Sequence, residues 1–178
     1  MKKRGRITKE KKSNFLVYLF LRYLILLVFG VFLSLFYAIL FPLTILPVYF
    51  LLSILYPVSI IGNVIYIYAI KIELINACIA GSAYYLLLIL NLTTDMKAKQ
   101  RVYSIAFSIV SLLILNILRI FFLSILYVES FSFFDITHKI FWYALSVILV
   151  VGVWFLAVKL FKIKNTPVYS DIRKLYSK

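Results

Sequence analysis

The chain has 178 residues, 65% of them hydrophobic, and a mean hydropathy of +1.05, far above the ~45–50% apolar share of a soluble domain. Several apolar runs approach the ~20 residues that a bilayer crossing needs, so this is an integral membrane protein with no separate soluble domain. The formal charge of +14 resembles a nucleic-acid signal, but seven of the twenty Lys and Arg fall in residues 1–14, three in 97–101 and six in 159–178; basic clusters beside crossings mark the cytoplasmic side and meet anionic lipid head groups, so lipid and not nucleic acid is the expected partner.

In chain order, residues 1–14 read as a cytoplasmic basic tail, 15–161 as a single membrane domain and 162–178 as a second cytoplasmic basic tail. Phe15–Phe41 is the first crossing. It is too long for the apolar core of a signal peptide, and no small-residue cleavage site follows it, so it reads as a retained anchor. Its one charge, Arg22, lies near the inner end and can snorkel. Leu43–Ile61 carries Pro47 and Pro57, which break or kink a helix. Gly62-Asn63 reads as a turn. Val64–Ile75, rich in β-branched and aromatic residues, reads as short strands.

Cys78–Leu92 is a second firm crossing. The basic loop 93–101 is inside, Val102–Leu126 crosses outward, and Tyr127–Thr137, with two acids and no Lys or Arg, suits the outside. His138–Phe161 returns inward. Parity then requires residues 42–77 to begin and end outside. Leu43–Ile61 accordingly lies in the interface, re-enters, or spans twice as a broken hairpin. The expected fold is all-α and polytopic: about four transmembrane helices, the proline-containing segment, and a short outer strand-like stretch. Five crossings with an outside N-terminus would put the first basic patch on the wrong side.

The rare groups converge under this topology. Cys78, the only cysteine, stands at the outer end of its crossing. Arg119 lies 17 residues after Val102, about 25 Å along a ~30 Å core and so near the same surface. His138, the only histidine, begins the last crossing there. A thiolate is a nucleophile that a helix N-terminus favours. A histidine transfers protons or holds the ion pair, and an arginine stabilises an oxyanion. Each residue also has a plainer reading: Cys78 as a small packed hydrophobe, His138 as an interfacial residue. Arg119 is harder to dismiss, because a charge in an apolar helix usually faces a partner or cavity.

Supporting candidates follow from spacing. Asn116 shares a face with Arg119 and can orient it. Asp135 orients His138 or caps its helix. Ser82 lies one turn below Cys78, in packing. Gly81, with Ala80 and Ala83, suits a close helix contact. One cysteine excludes an internal disulfide, and one Cys with one His falls short of a metal site, so no metal and no cofactor is expected.

The stretches NACIAGS around Cys78, LNILRI around Arg119 and FDITHKIFWYAL around His138 resemble the exosortase and archaeosortase family. Those are polytopic membrane cysteine transpeptidases with a Cys, an Arg and a His at the outer ends of successive helices. The resemblance covers about residues 60–155. The short chain suits the small archaeal, pacearchaeosortase-like members. It departs in having Ile79-Ala80-Gly81 where many members have Ser-Gly after the Cys, and Tyr143-Ala144 where many have a glycine after the His. The resemblance implies catalysis by Cys78, Arg119 and His138 at the extracellular face of the cell membrane. The substrate would be the C-terminal sorting signal of a secreted surface protein, and an amine or lipid would accept the product. The competing expectations are a non-enzymatic assembly factor or scaffold, and a small transporter, which would need polar groups along a path across the bilayer.

Overall fold

A computed structural model of the chain describes residues 17, 19–31 and 33–163. The basic tail expected at 1–14, all but the first two residues of the one expected at 162–178, and the first residues of the expected anchor lie outside them. The chain forms α1 (Leu19–Val31), α2 (Leu33–Ser53), three strands, β1 (Val58–Ile61), β2 (Val64–Ile67) and β3 (Ile70–Glu73), then α3 (Asn76–Ile79), α4 (Gly81–Thr93), α5 (Ala98–Val128), α6 (Phe134–Ile140), a π-turn (Phe141–Leu145) and α7 (Ser146–Leu160). Four stretches are long and apolar enough to cross a membrane: Phe36–Ser53, Asn76–Thr93, Ala98–Val128 and Phe134–Leu160. The mostly-α polytopic architecture and the small strand-like stretch are therefore present.

The proline-containing segment differs from its expected form. Leu43–Ile61 is not one element, because residues 43–53 complete α2 and residues 58–61 form β1. Pro42 and Pro47 stand inside α2. Each removes one helical hydrogen bond, a loss that membrane helices tolerate where neighbouring helices cover the freed groups. Pro57 instead directly precedes β1, where its fixed φ suits the start of an edge strand. Arg22 also differs: it is 4% exposed, packed within the bundle and not reaching out to solvent.

The sheet is an antiparallel meander in the order β1-β2-β3. Gly62-Asn63 makes the first two-residue loop, with Ile61 opposite Val64. Gly62 has φ +60° while Asn63 does not enter the left-handed region, the pattern of a type II′ hairpin, which glycine adopts without strain. Tyr68-Ala69 makes the second loop, with Ile67 opposite Ile70. Tyr56, between α2 and β1, donates a 2.8 Å hydrogen bond to Glu129, just after α5. That bond ties the sheet to the end of the bundle where α5 finishes.

Helix α5 is the axis of the bundle and packs against α2, α4 and α7. Its sequence is patterned inside out. The buried face carries Arg101, Ser104, Ser108, Leu112, Asn116, Arg119, Ile120 and Ser124 at helical spacing, mostly polar, while Val102, Val110, Ile114 and Phe122 are exposed. Small serines let neighbouring helices approach closely, and the apolar outer face suits lipid contact. At the end opposite the sheet, Arg101 donates to the Thr94 carbonyl at 2.9 Å, closing the short α4–α5 connection.

Candidate active site

Cys78 lies in the first turn of the span Asn76–Thr93, which is not one unbroken helix. It lies in the four-residue α3, where its N–H donates to the Ile75 carbonyl at 2.8 Å. Ala80 then takes a left-handed conformation (φ 59°, ψ 34°), and α4 starts only at Gly81. The thiol thus stands near the N-terminus of the span Asn76–Thr93, as expected, but a left-handed break at Ala80 separates its turn from α4. Gly81 allows that break to pack. A Cβ there would come within 2.6 Å of the Tyr37 ring on α2, so the close helix contact expected at this glycine is present.

The end of α3 is held by side chains of α5. Asn116 Nδ2 donates to the Cys78 carbonyl at 2.9 Å and to the Ile79 carbonyl at 3.5 Å. Arg119 Nη2 donates to the same Cys78 carbonyl at 3.3 Å, and its Nη1 donates to Ser146 Oγ at 2.6 Å. Ser146 Oγ in turn donates to the Phe141 carbonyl five residues back, at 3.0 Å. The wide π-turn between His138 and Ser146 creates that acceptor; such turns interrupt helices where side chains must be re-aimed. Asn116, 2% exposed, does not orient Arg119 by direct bonding, as expected from its spacing. It shares an acceptor with it.

Arg119 is 9% exposed. Among the described residues its bonds go to a carbonyl and a hydroxyl, not to a carboxylate. A guanidinium in an apolar setting with only neutral acceptors keeps its positive charge uncompensated and has further N–H donors to offer.

His138 lies one turn inside the last helical stretch, which starts at Phe134 and not at His138. Its ring stacks on Phe134, with centroids 5.6 Å apart and planes 6° from parallel, and meets Trp142 edge-on at 6.0 Å. The two aromatics at i−4 and i+4 fix the imidazole plane along one helix face.

Cys78, Arg119 and His138 line one cavity of about 210 Å³. No hydrogen bond links thiol and imidazole among the described residues, so a proton passing between them needs a bound group or a small closure, as is common before substrate arrives. Ser82 is exposed and outside the cavity. Asp135 is exposed in the first turn of α6; it makes no side-chain cap and does not reach His138. Compared with family models, with curated proteins and with solved structures, the chain matches none.

Other residues of the site have weaker sequence signals. Ser146 is one serine in an apolar helix, and only the π-turn reveals its part. Lys71 and Glu73 form the charged wall of the cavity, with Lys71 Nζ 3.6 Å from Glu73 Oε2 and Asn63 Nδ2 3.2 Å from Glu73 Oε1. Their spacing of two in a strand-like stretch does put both on one face, and that was the available signal. Among the described residues no cluster of His, Cys, Asp or Glu could hold a metal ion.

Proposed function

We propose that this protein is a membrane cysteine transpeptidase or endopeptidase that cleaves the C-terminal sorting tail of secreted surface proteins. The observation that carries the reading is the meeting of Cys78, Arg119 and His138, from three separate segments, at one cavity. The family resemblance around these residues points the same way. The His138 imidazole takes the thiol proton, and the Cys78 sulfur attacks a peptide carbonyl of the tail. The uncompensated Arg119 charge stabilises the tetrahedral oxyanion. The C–N bond breaks, imidazolium protonates the leaving amine, and a thioester remains on Cys78. An acceptor amine, a lipid nucleophile or water then attacks that thioester and returns the thiol.

In this reading the chain crosses the cell membrane several times with both termini in the cytoplasm, and the cavity opens at the extracellular face. The buried polar face of α5 is the feature a transport reading would use. Leu112, 3% exposed, sits between Ser108 and Asn116 and closes that face with a packed apolar layer, which favours an enzyme.

The test is labelling of Cys78 in intact cells with a membrane-impermeant maleimide, in wild type and in Arg119→Ala and His138→Ala. Rapid labelling from outside, slowed in both variants, is expected. Labelling only from inside, or only after denaturation, overturns the proposal.

A further inference from the structure

The sheet is open along β3. Strand β3 pairs with β2 on one side only. Its register places Ile70 opposite Ile67 next to a two-residue loop and Ile72 opposite Ile65, and the Leu74 N–H donates to the Asn63 carbonyl at 2.9 Å. In an antiparallel pair, main-chain groups alternate between the partner strand and the free edge. Ile70, Ile72 and Leu74 therefore bond toward β2, and the N–H and C=O groups of Lys71 and Glu73 point away from the sheet. Among the described residues no main-chain bond occupies them.

That free edge borders the cavity. Lys71, Ile72, Glu73 and Leu74 all line it. Consecutive strand residues project to opposite faces of a sheet, so a cavity touched by four in a row runs along the strand's edge, not over one face. Two residues after the strand, α3 begins and carries Cys78. The edge and the thiol thus share one cavity.

From this we infer that the protein holds its substrate as an added strand: an extended polypeptide segment pairs with the outward main-chain groups of Lys71 and Glu73 and so delivers its next carbonyl to Cys78. The inference rests on Cys78 being a nucleophile and adds how the substrate is read. The occupant is an extended peptide because it alone offers donors and acceptors at the strand repeat. Such recognition is largely independent of side chains, and the mixed charge of Lys71 and Glu73 and the Phe134 and Trp142 rings across the cavity would select among them.

The experiment uses the full chain in detergent or nanodiscs. Cys78 alkylation is followed by mass spectrometry with iodoacetamide and with acetyl-tetrapeptidyl chloromethyl ketones of randomised side chains. Two further pools carry N-methyl groups on alternate amides, one pool in each register. Strand addition makes only one register face the edge. Methylation in that register is expected to slow alkylation by about tenfold, as befits one or two lost main-chain hydrogen bonds, while the other register reacts like the parent pool. In Lys71→Pro and Glu73→Pro, which remove outward donors without breaking a bond to β2, the parent pool is expected to slow and the register difference to shrink. Equal rates in both registers, slowed or not, overturn strand addition in the wild-type protein alone, whether or not the proline variants fold. If iodoacetamide fails to modify folded Cys78, the nucleophile reading falls and takes this inference with it. If iodoacetamide reacts but register has no effect, only strand addition falls.

Discussion

Arg119 grips the main-chain carbonyl of Cys78, at 3.3 Å, and not its sulfur. With Asn116 on the same oxygen at 2.9 Å, α5 fixes the position of the cysteine backbone and leaves the thiol free to face the cavity. Arg119 thereby has a positioning part in the resting protein in addition to the oxyanion part proposed for it in the reaction.

Arg119→Lys keeps the charge but cannot bond Cys78 and Ser146 at once, because the planar fork is lost. Tail cleavage is expected to fall by tenfold or more, on the order of the 10²-fold that misplacing a reacting group by ~1 Å can cost. Ser146→Ala should produce a smaller loss of the same kind, with kcat more affected than KM. Steady-state kinetics on a reconstituted tail peptide would check both; an unchanged kcat in Ser146→Ala would show that this bond does not matter.

Asn116→Leu removes the shorter of the two bonds to the Cys78 carbonyl and leaves the Ile79 carbonyl without its donor. Destabilisation of about 1–3 kcal/mol is expected, the usual cost of an unsatisfied buried polar group. Thermal unfolding in a fixed detergent measures it, and a melting point equal to wild type would contradict the assignment.

His138→Phe separates structure from chemistry. A phenyl ring preserves the stack on Phe134 and the edge contact with Trp142, so the melting temperature should hold. Proton transfer disappears with the imidazole, and cleavage should drop by about 10²–10⁴-fold. Retained cleavage would remove His138 from the mechanism.

Gly81→Ala places a methyl group 2.6 Å from the Tyr37 ring. Overpacking of this kind costs about 1–3 kcal/mol. Adding Tyr37→Leu should recover part of the loss, and a double-mutant cycle on unfolding midpoints reads the coupling directly. Additive losses would mean that the two residues do not meet.

The Tyr56–Glu129 tie predicts an alkaline response. The hydrogen bond to Glu129, then desolvation, then the carboxylate charge raise the Tyr56 pKa above its ordinary value of 10.0. A group with a raised folded pKa stabilises fully below its unfolded value and loses that contribution as pH rises through the folded one. Wild type should therefore exceed Tyr56→Phe in stability at neutral pH, and the two should converge well above pH 10. A gap that persists there would assign the difference to packing.

Much of this arrangement was legible in the sequence because membrane segments make polar residues conspicuous. Asn116 and Arg119 stand out in an apolar helix. Basic-patch parity put residues 42–77 on one side, but residues 42–53 belong to the crossing stretch Phe36–Ser53, and only 54–77 stand together at one end of the bundle. The break after the cysteine turn was hidden for the opposite reason. A left-handed residue is normally sought at glycine, and here the glycine is one position late: Ala80 takes the left-handed conformation while Gly81 makes room for Tyr37. The continuation of α2 through two prolines was equally opaque, because proline penalties are set by whether tertiary neighbours cover the freed carbonyls, which local pattern does not encode.

The length of α5 reaches beyond the protein itself. Its 31 residues rise about 46 Å, against a hydrocarbon thickness of ~30 Å. A surplus of that size is absorbed by tilt, by emergence at one face, or by local thickening of the lipid. Arg119 and the other cavity residues of α5 occupy its last third. On the proposed topology, bilayer thickness would set how deep the thiol sits, and lipid chain length would act as a rheostat on access to it.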